Sequence, residues 1–214
     1  GRTEPDVAAE FTAAYDQQME RLGIIPAESR PHATQFIDGM IDIIHDLVER
    51  DAAYVVPEKG VYFSVVGLSD YGRLAGRSLS QLLDDAGQRV DVDTDKRSPL
   101  DFALWKAAKP GEPSWQTPWG VGRPGWHTEC VAMSLSALGP DFDIHGGGDD
   151  LCFPHHQNEW AQVTATGQPF ARHWVHSAMV NVAGEKMSKS LGNFTNLAEA
   201  IDSSGPRALR LLAL

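Results

Sequence analysis

Apolar side chains recur at helical spacing through the first quarter of the chain. In residues 5–22, PDVAAEFTAAYDQQMERL, small and apolar positions alternate with charged ones at intervals of three and four, and Gly23 stands where a helix can close, so an amphipathic helix is expected. A polar link with two prolines, IPAESRP, follows. Phe36, Ile37, Met40, Ile41, Ile44, Leu47 and Val48 then return every third and fourth residue and predict a second helix over 32–50. The period next falls to two: AYVV and VYFSVV, on either side of Pro57 to Gly60, predict a small hairpin. SLSQLLDDAG predicts a short helix with Ser78 as its cap. Proline, glycine and charge dominate 88–122 except in LDFALW, and the pattern there predicts an irregular, largely surface segment.

The rhythm changes at Gly125. TECVAMSLSALG reads as a helix ending at Gly139, FDIH as a short strand running into three glycines, PHHQNEWAQVTATG as a helix, and HWVHSAMVNV as strand. Helix, strand, glycine turn, helix, strand is the rhythm of an α/β protein with a parallel sheet. Ligands of such sheets bind beyond the carboxyl ends of the strands, which is where His145 and the glycines fall. Two further helices follow, one capped by Asn196 with Glu199 three residues on, the last opened by Pro206.

Composition narrows the classes. The 214 residues are 42% hydrophobic and 22% charged, as expected of a soluble globular protein able to bury one good core. No apolar run approaches the roughly 20 residues of a membrane helix, and the polar start, GRTEPDVAAEF, lacks a signal-peptide core. Two cysteines, Cys130 and Cys152, exclude a disulfide scaffold and point to a reducing cytoplasm. Lys and Arg number 18 against 29 Asp and Glu, and the net charge of −11 excludes a general nucleic-acid binder.

Three stretches carry chemistry. In DDLCFPHHQNEWAQ, residues 149–162, a helix starting at Pro154 puts His155 and Glu159 one turn apart on one face, as metal ligands require. Cys130 lies 25 residues before His155, across one strand, and a helix–strand–helix unit can bring it to them as a third ligand. A lone cysteine is also ordinary core packing, and HHxxE also suits a solvated helix face, so both readings stand on spacing alone. Cys152, in DLCF, reads as core at a strand end. In DIHGGGDD, residues 143–150, three glycines either let backbone approach a ligand or form a tight strand-to-helix turn. They do not fit G-x-G-x-x-G, and an esterase oxyanion loop would need a G-x-S-x-G elbow that this chain lacks. In GEKMSKSLGN, residues 184–193, two lysines and two serines sit in a Gly-flanked loop that can close on a polyphosphate and neutralise charge as pyrophosphate leaves.

The last string contains KMSKS, the second signature of class I aminoacyl-tRNA synthetases. GRPGWHTECVAMS, DIHGGG, FPHHQNEWAQ, GEKMSKSLGNF and KRSPLDFALWKAAKPGEPSW together resemble the cysteinyl-tRNA synthetase family along most of the chain. The resemblance implies a Rossmann-like catalytic domain with an inserted connective segment. Residues 1–30 would be a helical part of that domain, 31–118 the insertion, 119–178 its second half, and 179–214 the KMSKS loop with the start of a helical stem-contact region. It implies ATP-dependent activation of L-cysteine to cysteinyl-adenylate, then transfer to the 3′ end of tRNA(Cys), by a cytoplasmic enzyme that is monomeric when intact. It implies one Zn2+ per chain, on Cys130, His155 and Glu159 but not His156 or Cys152, which grips the substrate thiol as thiolate, and Mg2+ with the ATP. Trp126 would stand beside the substrate. His145, Gly146, Gly147, Gly148 and Asp150 would line the adenylate pocket, and Lys186 and Lys189 would contact ATP as the catalytic pair.

The match departs from the family pattern in four places. Neither a HIGH signature nor the cysteine ligand that precedes it in the family occurs here, so the chain is expected to be a central fragment that does not activate cysteine alone. Asp149 stands where the family usually has an uncharged residue, and its charge is expected to weaken ATP binding; Gln157 replaces a usual glutamate. The alternatives are a mycothiol ligase-type enzyme, which lacks a glutamate ligand at the position of Glu159, and a non-catalytic zinc- and cysteine-binding module.

Overall fold

The computed structural model describes residues 1–87, 96–182, 184–187 and 192–213, with backbone alone at Val182, Glu185 and Lys186. In chain order the elements are α1 (Glu4–Arg21), α2 (Ile37–Glu49), β1 (Ala53–Val56), β2 (Gly60–Phe63), α3 (Leu79–Gly87), β3 (Phe102–Ala107), β4 (Gly122–Pro124) and α4 (Trp126–Leu138). There follow β5 (Ile144–Gly148), the single turn α5 (Asp149–Leu151), α6 (Gln157–Ala165), β6 (His173–Ser177), β7 (Asn181–Val182), β8 (Glu185–Lys186), α7 (Leu197–Ser204) and α8 (Pro206–Leu212). Among the described residues no helix is long and apolar enough to cross a membrane.

Contacts divide the chain into two compact units, Gly1–Arg30 with Val180–Leu214, and Pro31–Met179. In the first, α1 is opened by a capping box between Thr3 and Asp6. Asn196 caps α7 by accepting from the Glu199 amide at 2.9 Å, and Pro206 occupies the first turn of α8, where its missing N–H costs nothing.

The second unit is built on a four-stranded antiparallel sheet in the order β1-β2-β3-β4. The expected hairpin forms, with Ala53 opposite Phe63 and Val56 opposite Gly60. Gly60 has φ +132°, and a Cβ there would stand 2.0 Å from the Trp105 carbonyl oxygen, so only glycine fits. The expectation of an irregular surface segment over 88–122 is corrected. LDFALW supplies β3, an inner strand whose Phe102, Leu104 and Trp105 are buried. Its pairing partner, β2, lies some 40 residues earlier, and a six-residue run cannot reveal so distant a neighbour. Residues 88–95 lie outside the described residues.

Below the sheet, Met40, Ile44 and Leu47 of α2 join Val61, Phe63, Leu104 and Trp105 in one core, to which α4 adds Ala132 and α6 adds Ala161. A second cluster, Val131, Phe142, Val163 and Phe170, packs α4 and α6 beside β5 and β6. These last two strands pair in parallel, Ile144 with His173 through Gly148 with Ser177, joined by the α6 crossover. The fold is therefore mixed α/β, and among the described residues the parallel sheet has only these two strands.

The loop before β3 is held by one carboxylate. Asp101, buried, accepts from the Tyr54 hydroxyl at 2.7 Å, the Val65 amide at 2.9 Å and the Ser98 amide at 3.0 Å. Asp101→Ala strands three buried donors, so the unfolding free energy should fall by about 3 kcal/mol or more. Urea denaturation checks this, and a loss under about 1 kcal/mol would show that water replaces the carboxylate.

Candidate metal centre

Two helices and one strand converge on the site. The Gly125 amide donates to the Leu104 carbonyl at 2.7 Å, and a Cβ at Gly125 would stand 2.1 Å from the Ala103 oxygen, so α4 starts hard against β3. The first turn of α4 then carries His127 and Cys130 three residues apart on one face. The Thr128 hydroxyl donates to Gln162 Oε1 at 2.9 Å, and Gln162 Nε2 donates to the Asn158 carbonyl at 3.1 Å, which locks α4 to α6. The chain enters α6 through Phe153, whose extended φ and ψ of −139° and 129° suit a residue before proline. From there a helical turn carries His155 to one turn before Glu159.

Cys130, His155 and Glu159 offer ligand atoms that all lie within 4.8 Å of one another. His155 and Glu159 are buried, and Cys130 is half-buried. His155 Nε2 lies 2.9 Å from Glu159 Oε1. His145 Nε2 lies 3.4 Å from Glu159 Oε2, and His145, His156 and Glu159 form a second triplet within the same limit. Neither Glu159 oxygen receives an aligned hydrogen bond from the described residues, although the residue is fully buried. A carboxylate taken out of water needs a counter-charge, and a cation between thiol, imidazole and carboxylate supplies one. Sulfur, nitrogen and oxygen donors together match the ligand set of zinc.

The Trp126 indole lies over His155 with ring centroids 4.0 Å apart. Gly146, Gly147 and Gly148 lie within β5, not in the turn that the sequence alone left open, and none has a positive φ. Space explains two of them. A Cβ on Gly147 would stand 2.8 Å from His156 Cε1, and one on Gly148 would stand 2.7 Å from Asp150 Oδ1. Asp149 and Asp150 are exposed in the turn beyond the strand. Lys186 is in β8 of the other unit, described by its backbone alone, and Lys189 lies outside the described residues.

Two histidines, His127 and His176, are given no role in a site by the sequence reading, and a third, His156, is excluded there as a ligand. His127 Nδ1 is 2.8 Å from His155 Nδ1, and His156 Nδ1 is 2.8 Å from His176 Nε2. The three-residue spacing of His127 and Cys130 on a helix was the available signal for the first. His156, set aside as a ligand, belongs to the second triplet. Cys152, expected as core at a strand end, is half-buried in the helical turn before α6 and donates to the Leu74 carbonyl at 3.4 Å. Gln157 accepts from the Leu74 amide at 3.0 Å, which fastens the 68–77 loop to the start of α6.

Burial pushes His127 and His156 down to about 4, with neighbouring imidazoles adding to the effect, and lowers His145 against the pull of Glu159. These rings are neutral at pH 7. Burial, with Glu159 and Glu129, pushes the Cys130 thiol up to about 12. The metal-free protein therefore keeps the Cys130 proton throughout the neutral range, and an entering cation must displace it. Apparent zinc affinity should rise about tenfold per pH unit between about pH 7 and 8, one proton leaving per metal. Chelator competition at several pH values measures this, and a flat profile would show that the thiol takes no part.

The whole chain, residues 1–214, matches the family described as tRNA synthetases class I (C) catalytic domain. It is 52% identical over 213 residues to a cysteine–tRNA ligase of Thermodesulfovibrio yellowstonii, covering 98% of this chain and 43% of that protein. It is 54% identical over 209 residues to a cysteine–tRNA ligase of Aquifex aeolicus, covering 97% and 42%. The chain thus spans less than half the length of these curated relatives. Among solved structures, Mycobacterium tuberculosis methionyl-tRNA synthetase in complex with methionyl-adenylate aligns with TM-score 0.67 at 14% identity, covering 100% of this chain and 52% of that one. That likeness concerns the fold.

Proposed function

The chain belongs to the class I (C) tRNA synthetase catalytic-domain family, and from that premise we propose that the complete protein is a cysteine–tRNA ligase. It joins L-cysteine to ATP as cysteinyl-adenylate with release of pyrophosphate, then passes the cysteinyl group to the 3′ end of tRNA(Cys). The observation that carries the reading is the convergence of Cys130 and His155 on the buried Glu159 carboxylate, which has no aligned hydrogen-bond donor among the described residues.

Cys130, His155 and Glu159 would hold one Zn2+, which when bound supplies a Lewis-acid seat for the substrate sulfur as thiolate. Serine offers a hydroxyl that binds such a centre poorly, so selection can be made at the first binding step. Trp126, stacked over His155, walls the substrate side. His145 and the glycines of β5 would line the adenylate pocket, with Asp150 beyond them. Lys189 and Lys186 contact the ATP phosphates and neutralise the departing pyrophosphate, whose charge Mg2+ shares. We assign residues 31–118 as the connective insertion and 179–214 as the signature loop with its helices. The two unpaired thiols suit a cytoplasmic location, and the intact enzyme is assigned as a monomer.

Cysteine-dependent ATP–pyrophosphate exchange by the complete protein tests this. Exchange should favour cysteine over serine by about 10⁴-fold or more, and addition of tRNA(Cys) should yield cysteinyl-tRNA. Exchange without tRNA charging, but with transfer to an amino-sugar inositol, would assign it to mycothiol ligation. Tight ATP-independent cysteine binding with no exchange would make it a binding module.

A further inference from the structure

We infer that His127 is a positioning residue that fixes the tautomer in which His155 presents Nε2 to the metal; the inference rests on the zinc reading above.

The two imidazoles meet Nδ1 to Nδ1 at 2.8 Å, a distance that requires one nitrogen to carry hydrogen and the other a lone pair. The opposite nitrogen of His155, Nε2, faces Glu159 Oε1 at 2.9 Å, inside the ligand cluster. For that nitrogen to donate its lone pair to a cation, the hydrogen of neutral His155 must sit on Nδ1. His127 Nδ1 is then the acceptor, and its own hydrogen lies on Nε2. A ligating imidazole whose other nitrogen donates to a fixed acceptor binds metal more firmly, because ring orientation and proton position are settled beforehand.

His127 is well placed for this. It sits in the first turn of α4, whose start is clamped to β3, and Phe102 meets its ring edge-on at 5.6 Å and 88°. Trp126 stacks on the same ring at 5.7 Å and lies tilted over His155 at 4.0 Å, so the two imidazoles share one aromatic cover. Cys130 follows three residues later, so α4 supplies both a ligand and the acceptor that orients a second ligand.

Two measurements on the complete protein test the inference. In the zinc-loaded parent, ring-nitrogen NMR of histidine should show His155 with hydrogen on Nδ1, donating, and metal on Nε2. Hydrogen on Nε2 would overturn the assignment without any variant. Chelator competition then compares variants. His127→Phe keeps a ring but removes the acceptor, and zinc affinity should drop about 10- to 100-fold. His127→Asn returns an oxygen close to the Nδ1 position and should restore affinity to within about threefold of the parent. Unchanged affinity in His127→Phe, or equal losses in both variants, overturns the acceptor role. If the parent itself binds no zinc, the metal reading falls and this inference with it; zinc in the parent with no difference among variants removes this inference alone.

Discussion

In the complete protein, Glu159→Gln should leave under about one tenth of a zinc per chain and reduce cysteine activation by about a thousandfold or more. The substitution preserves shape and removes one negative charge. With the Cys130 thiolate, that charge balances a divalent cation in a site where Glu159 and His155 are buried. An amide leaves one positive charge uncompensated in a poorly solvated place, and the cost exceeds what the remaining ligands return. The effect on the metal-free protein should have the opposite sign. There Glu159 is a fully buried carboxylate with no aligned donor among the described residues on either oxygen, so the neutral amide is easier to bury. The metal-free variant should melt at or above the temperature of the metal-free parent. Elemental analysis with paired melting curves reads both signs. Full zinc content in the variant would remove Glu159 from the ligand set, and a metal-free variant markedly less stable than its parent would mean the carboxylate has partners of its own.

In the complete protein, Lys189→Ala should slow cysteine-dependent pyrophosphate exchange by about a hundred- to a thousandfold, with zinc content and cysteine affinity unchanged. In the string GEKMSKSLGN the second lysine of KMSKS is the expected phosphate contact. Charge that grows on the phosphates as pyrophosphate departs is met by a cation that matters little in the ground state, so the loss should fall on kcat and less on KM. A loss confined to the KM for ATP would make the lysine a ground-state binder, and normal exchange would exclude it from the reaction.

The two predictions draw on different levels of information. Lys189 is a candidate through the linear motif alone. Glu159 and His155 were legible as a pair because four residues make one helical turn and the pair follows a proline that can open it. Cys130 joined them through the family resemblance, since a spacing of 25 residues across a strand is compatible with many arrangements. His127 and His176 escape a sequence reading, and His156 is excluded by it, because their partners come from other elements. Nothing in FPHHQ says which histidine meets β6 and which meets α4.

By itself the sequence determined what depends on near neighbours. The helical periods of α1 and α2, the Ser78 and Asn196 caps, the hairpin of β1 and β2, and the glycine stops at Gly23 and Gly139 all act within a turn or two of chain. Tertiary structure decided the rest. It made LDFALW an inner strand, because pairing with β2 buries it on a sheet assembled from distant segments. It put the three glycines inside β5, where the obstacle to a side chain at Gly147 is the His156 ring from the following turn. It also placed a buried carboxylate between Cys130 and His155 on one side and His145 and His156 on the other. Local pattern sets the φ and ψ preferences of a segment, whereas burial and side-chain contact depend on which segments pack against it, and only the folded chain brings those together.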